Sequence, residues 1–254
     1  MNANLEISRE GAVLRVTLNR PDKRNALNAA MCQSIVETVE NAETDTSVGA
    51  FLLDAKGDVF CAGMDLDEAA SPEAAQHTAI HERLFTIGAR IRKPIVTAVQ
   101  GPALGGGLGL ICTSHVAVAA QGSTFGLTEI RLGMWPFVIY RSVALAVGER
   151  RALELSLMGR IFHVPEALQY GLIHESAPAF ELDDRATAIA MHLASMSPQA
   201  IGRGLEFVHK TYGVDPLTAA PLALEMRTAA FASDDFREGV AAFREKRRPN
   251  FRQA

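Results

Sequence analysis

Residues 95–119 read IVTAVQGPALGGGLGLICTSHVAVA, and this stretch decides the fold class. Ile95–Val99 is a β-branched run that suits a strand. Gly101-Pro102 and Gly105-Gly106-Gly107 break it, Leu108–Thr113 looks helical, and Val116–Ala119 returns as a strand. A first cycle of the same kind lies upstream. Leu14, Val16 and Leu18 alternate with polar residues, Asn19–Asp22 reads as a turn, and Asn28 suits the N-cap of a helix with Met31, Ile35, Val36 and Val39 on its apolar face. Ala50–Leu53 and Val59–Cys61 read as strands. Between the cycles, Pro72 opens a helix carrying Ile80, Leu84, Ile87 and Ile91, which Pro94 stops. The alternation favours a layered α/β architecture. Beyond residue 135 the pattern turns helical, over 135–147, 149–158, 165–170, 181–196, 199–211, 215–232 and 234–246, with a strand hint only at Gly171–Ile173.

The whole chain has 254 residues, 48% of them hydrophobic and 21% charged, which is ample for a buried core. Its formal net charge of −4 gives no field to hold nucleic acid or an anionic membrane. Cys32, Cys61 and Cys112 are too few and too scattered for a disulfide framework, and no CxxC pair suggests a metal. Met1–Glu10 lacks the apolar stretch of a signal peptide, and no segment reaches the length of a membrane helix. A cytoplasmic protein without a metal is expected. The basic segment Phe243–Phe251 reads either as a solvated helix end or as a contact for a phosphorylated ligand.

Several nucleotide and catalytic motifs fail on inspection. The glycine cluster fits neither G-x-G-x-x-G nor a P-loop, and the serine of Gly122–Gly126 stands one place too early for a nucleophile elbow. His77 and His81 have helical spacing, but Thr78 stands where a zincin needs glutamate. What the cluster offers is bare backbone N–H groups at a helix start, where glycine leaves them open to a ligand. Such donors bind an oxyanion; close strand–helix packing would equally call for glycine there. The turn Gly57–Leu66 has the same character, so two turns could each give one N–H to a single oxygen.

Five ordered segments carry a resemblance: LNRP at Leu18–Pro21 with RNAL at Arg24–Leu27, FCAGMDL at Phe60–Leu66, GPALGGG at Gly101–Gly107, FGLTE at Phe125–Glu129, and the closing F-x-E-K-R-x-P at Phe243–Pro249. Together they resemble the crotonase superfamily of enoyl-CoA hydratases and isomerases. The resemblance implies a spiral of ββα units over residues 1–190 and a helical trimerisation region over 191–254, in a homotrimer or dimer of trimers. It implies an acyl-CoA substrate, with coenzyme A as part of that substrate and no other cofactor. By the same resemblance, the N–H groups of Met64 and Gly106 form an oxyanion hole. Arg24, Ala26, Ala62, Asp65 and Leu66 line the CoA site, Lys246 contacts a phosphate within its own subunit or across a subunit boundary, and Glu129 is catalytic. Without the resemblance, Glu129 reads as a residue starting a helix beside Arg131.

The departures narrow the chemistry. Family hydratases use two glutamates twenty residues apart, and here the first position is Gly109. Phe137 stands where several relatives carry an aspartate, Thr128 replaces a proline, and Trp135-Pro136-Phe137 replaces a loop of small residues. Hydration needs a positioned water and a proton for the α-carbon, commonly shared between two carboxyls. Shifting a double bond needs one group that takes a proton and returns it nearby. A Δ3,Δ2-enoyl-CoA isomerase-like enzyme with Glu129 as sole acid/base is therefore the leading expectation. An enoyl-CoA hydratase, a decarboxylase and a non-catalytic acyl-CoA binder are the alternatives. An RNA-binding relative is disfavoured by the acidic net charge.

Overall fold

The computed structural model describes residues 4–251. Met1–Ala3, where the reading of the N-terminal stretch begins, lie outside the described residues. The chain runs β1 (Leu5–Glu10), β2 (Val13–Leu18), α1 (Ala29–Glu43), β3 (Ala50–Ala55), α2 (Leu66–Ala69), α3 (Thr78–Phe85), β4 (Ile95–Val99), β5 (Ala103–Leu104), α4 (Gly106–Thr113), β6 (Val116–Ala120) and β7 (Thr124–Gly126). It continues through α5 (Phe137–Val147), α6 (Glu149–Met158), β8 (Ile161–His163), α7 (Val164–Tyr170), β9 (Glu175–Ala177), α8 (Leu182–Ala194), α9 (Pro198–Thr211), α10 (Pro216–Phe231) and α11 (Asp234–Glu245).

Six strands form the main sheet in the order β1-β2-β3-β4-β6-β9, antiparallel at the β1–β2 hairpin and parallel elsewhere. Both faces are covered, as a parallel arrangement requires. On β3, β4 and β6 the residues Phe51, Leu53, Ile95, Val99, Ala117 and Ala119 face the larger core with α1 and α4. Ala50, Leu52, Val96, Ala98, Val118 and Ala120 face the other side, against α8. There Leu182, Ala186, Ala190 and Ala194 repeat every four residues, and the small side chains let the helix lie close to the strands. The division expected at residue 190 falls inside α8; we propose that the sheet-bound unit ends at Ala194. A second sheet, β5-β7-β8, carries the chain past the glycine turn.

The long elements fall where the periodicity places them, and the short ones differ. Asn28 caps α1, its Oδ1 accepting the Met31 N–H at 2.9 Å. Val59–Cys61 is not a strand: only Cys61 bridges Ala103, whose own strand turns away to pair with β7. The helix expected from Pro72 begins at Thr78, after a 3₁₀ turn over Ala74–His77, and ends at Phe85. A 3₁₀ turn over Ile87–Ala89 follows, where a Cβ on Gly88 would lie 1.9 Å from the Thr113 carbonyl oxygen, and Ile91 lies beyond it. Gly171–Ile173 closes α7 through a left-handed glycine, and the strand comes later, at β9. α9, α10 and α11 pack loosely on the rest: α10 buries no residue, while Leu217 and Phe243 are each 85% exposed.

Candidate active site

Two turns meet at the C-terminal ends of the parallel strands. After β3 the chain crosses to Gly63, whose φ of 98° is open to glycine but not to a side chain. Space forbids one as well: a Cβ there would lie 2.9 Å from the Leu104 carbonyl oxygen and 3.4 Å from the Gly106 nitrogen. The Gly63 turn therefore sits directly against the start of α4. Leu27 N–H donates to the Gly63 carbonyl and Asp65 N–H to the Leu27 carbonyl, which fixes Met64 between them. Among the described residues neither Met64 N–H nor Gly106 N–H donates a backbone hydrogen bond. Gly106 is the first residue of α4, where the N–H has no acceptor within the helix.

A cavity of about 710 Å³ opens onto these groups. Met64, Gly106, Glu129, Arg24, Ala26, Ala62, Asp65 and Leu66 all line it. Glu129 starts a 3₁₀ turn, with Arg131 two residues on in the same turn. It is buried, and its Oε2 has no hydrogen-bond partner. Burial pushes its carboxyl above the usual glutamate range, outweighing a hydrogen bond from its own backbone N–H that favours the charged form. Gly105, at φ 51°, makes room for it: a Cβ there would lie 2.9 Å from Glu129 Oε1.

The mouth is built by the Pro21–Leu27 loop. Arg24 and Asn25 both hold the left-handed conformation, at φ 52°. Asn25 is fully buried and fastens the loop. Its Oδ1 accepts the Arg20 N–H, and its Nδ2 donates to the Lys56 and Val59 carbonyls, each at 2.8 Å. The Ala62 N–H donates to the Arg24 carbonyl at 3.0 Å, tying this loop to the Gly63 turn. Asp65 lines the cavity, yet its carboxylate is engaged within the protein. It pairs with Arg20 at 2.6 Å and caps α2 through the Asp67 and Glu68 N–H groups. The Arg20 hydrogen bond and those caps outweigh burial and hold its carboxyl below the usual range.

Lys246 is not brought to the cavity of its own chain. It ends α11 in a left-handed cap, exposed, and is not among the residues lining the cavity. Sequence reading missed Thr78, His81 and Phe85 on α3 and Leu132 and Met134 after Glu129, all of which line the cavity. The 78/81/85 spacing on one helix face was the available signal. Cys61 is buried, and its thiol and that of Cys112 are pushed up to about 12 by burial, consistent with packing rather than nucleophilic roles.

Gly109 is buried in α4, and the space beside it is filled rather than empty. A Cβ at this position would lie 2.5 Å from Ile139 Cγ2 and 3.0 Å from Phe85 Cε1. Three other carboxylates line the cavity. Asp65 and Asp67 are in ion pairs with Arg20 and Lys23, and Asp22 is exposed at the mouth. Glu129 is therefore the buried, unpaired carboxylate of the site.

A family model described as enoyl-CoA hydratase/isomerase matches residues 8–254. The chain is 32% identical to the 2,3-dehydroadipyl-CoA hydratase of Escherichia coli K12, covering 98% of this chain and 99% of that protein. It is 30% identical to the enoyl-CoA hydratase EchA19 of Mycobacterium tuberculosis, with 96% and 95% covered. Among solved structures, an enoyl-CoA hydratase of Bacillus anthracis superposes with a TM-score of 0.94 at 27% identity, over 99% of this chain and all of that one. One from Mycobacterium smegmatis gives 0.92 at 28%, over 98% of each chain. The α/β sheet, the paired turns and the helical C-terminal region are thus those of a crotonase fold, and the chain belongs to the enoyl-CoA hydratase/isomerase family of acyl-CoA enzymes.

Proposed function

We propose that the protein isomerises 3-enoyl-CoA to 2-enoyl-CoA with Glu129 as its single acid/base. The observation that carries this reading is the buried Glu129 carboxylate, its Oε2 without a hydrogen-bond partner, in one cavity with two free N–H groups, while Ile139 and Phe85 fill the space beside Gly109. The thioester oxygen lies between the Met64 and Gly106 N–H groups. Glu129 takes a proton from C2, and the C–H electron pair passes into a dienolate whose charge rests on that oxygen. The carboxylic acid then returns the proton to C4, leaving the double bond between C2 and C3. A raised proton affinity suits a group that must remove a weakly acidic proton near neutral pH.

In the same proposal Arg24, Ala26, Ala62 and Leu66 border the CoA moiety, and Asp65 acts by holding Arg20 and the α2 start in place. No group beyond the substrate's own coenzyme A is needed. The exposed apolar residues of α9–α11 support assembly as a homotrimer or a dimer of trimers, since an uncovered apolar face seeks a partner. None of the helices among the described residues is long and apolar enough to cross a membrane.

Hydration of 2-enoyl-CoA is the second reading, favoured by the names of the relatives. The test compares the two reactions on the wild-type enzyme at equal substrate concentration. Isomerisation much faster than hydration is expected. Equal rates would replace the isomerase reading with the hydratase one, and saturable acyl-CoA binding with no turnover would sink both.

A further inference from the structure

The 3₁₀ turn that carries Glu129 shows the cavity two faces. Side chains on such a turn align every three positions, so Glu129 aligns with Leu132, and Thr128, at the head of the turn, aligns with Arg131. All four line the cavity. The Arg131 N–H donates to the Thr128 carbonyl at 3.0 Å, which closes the turn on the second face. Arg131 is exposed and Thr128 half-buried, and among the described residues neither the guanidinium nor the hydroxyl has a hydrogen-bond or ionic partner. The cavity's other lysine and arginine are placed differently: Lys23 pairs with Asp67, and Arg24 belongs to the mouth loop. Gly159, at the end of α6, leaves room for the Arg131 stem, since a Cβ there would lie 3.4 Å from its Cγ and 3.5 Å from its Nε. The Glu129 carboxyl feels burial and its own backbone N–H but no neighbouring charge, so the guanidinium stands away from the reacting end.

We propose that Arg131, with Thr128 beside it, is a specificity-determining pair that binds a carboxylate at the far end of the acyl chain, so that the preferred substrates are CoA thioesters of dicarboxylic acids. This deepens the acyl-CoA reading of the site and rests on it. Glu129 works on C2 and C4 in that reading, so the turn that carries it lies along the acyl portion, and the CoA moiety runs the other way, past the mouth loop. A guanidinium offers a planar fork of donors that a carboxylate meets with two oxygens, and the threonine hydroxyl adds one more donor on the same face. The exposure of Arg131 suits a charged tail. A carboxylate drawn into a closed pocket loses all its water, whereas one held at an open rim keeps part of it and still gains the cation.

The test measures binding of saturated acyl-CoAs, which cannot react: hexanoyl-, octanoyl- and decanoyl-CoA against adipyl-, suberyl- and sebacyl-CoA, with free CoA as the reference. At the chain length that reaches Arg131, wild type is expected to prefer the carboxylated chain about tenfold, the lower end for hydrogen bonds to a charged group. Added salt narrows that preference. Arg131→Met, at an exposed position that tolerates change, removes it, and Arg131→Lys restores part of it as a charge without the fork. Thr128→Val lowers the preference by less than Arg131→Met. No preference in wild type at any length overturns the proposal, and so does a preference that survives Arg131→Met. Equal weakening of free CoA and of every acyl-CoA by Arg131→Met also overturns it, by placing the guanidinium on the CoA phosphates. Absence of any acyl-CoA binding refutes the underlying reading, whereas the preference without isomerase turnover refutes only the isomerase step.

Discussion

The two sides of the cavity are built from different material. One side is backbone: the Met64 and Gly106 N–H groups on turns whose glycines leave no room for a side chain. The other side is side chain: Glu129 buried at its root, then Leu132 and Phe137, which are 58% and 77% exposed. The first side is fastened through β3, β4 and the start of α4, where nearly every residue is buried. The second is a 3₁₀ turn and a loop leading into α5. In the proposed reaction, charge stabilisation rests on buried backbone, where substitution costs the fold most, while the acyl group meets exposed side chains, where substitution costs it little. On that reading, one side handles the thioester oxygen and the other selects the thioester.

The largest effect falls on Glu129, at the root of the side-chain side. Glu129→Gln keeps the shape and removes the base, so turnover of 3-enoyl-CoA falls by about 10²–10⁴-fold with substrate binding little changed. Because burial raises the Glu129 pKa, wild-type kcat/KM falls on the acid side at a pH above the usual glutamate range. Stability moves the opposite way. The unfolded carboxyl ionises first, so stability is lost as pH rises from the unfolded pKa through the folded one, and Glu129→Gln is more stable than wild type at neutral pH. An unshifted acid limb together with an unstabilised variant would show that burial does not raise this pKa, and unchanged turnover in Glu129→Gln would show that the backbone side does the work alone.

A smaller effect tests whether the backbone side admits a side chain. Gly109→Glu is expected to destabilise by about 1–3 kcal/mol through overpacking against Ile139 and Phe85, without creating a hydratase. Adding Ile139→Ala relieves most of that loss. Chemical denaturation of the single and double variants checks both statements, and a stable, hydrating single variant breaks the contrast between the two sides. The smallest effect belongs to the exposed side. Phe137→Ala changes stability by within about 0.5 kcal/mol and alters the order of preference among acyl chain lengths. Unchanged preference would mean that the side-chain wall is not where selection occurs.

Long elements were legible because their signals are local. Asn28 announces α1, and the run from Ile95 to Ala119 carries its own strand–turn–helix–strand pattern. β5, β7 and β8 were not, since strands of two or three residues are too short to show a period. The cavity residues carried by ordered motifs all reach the cavity except Lys246. What escaped depended on distant partners. The Asp65 carboxylate is engaged by Arg20, 45 positions away, and the space beside Gly109 is filled by Ile139 and Phe85, from two other helices.

The fastening of Asn25 has a kinetic consequence. Arg24 and Asn25 already hold their left-handed backbone through hydrogen bonds internal to the protein. The entropy of ordering the mouth is therefore lost during folding, not when a ligand arrives. If the ligand enters here as proposed, capture is expected as a single bimolecular encounter whose observed rate rises linearly with ligand concentration, without the plateau of a slow conformational step.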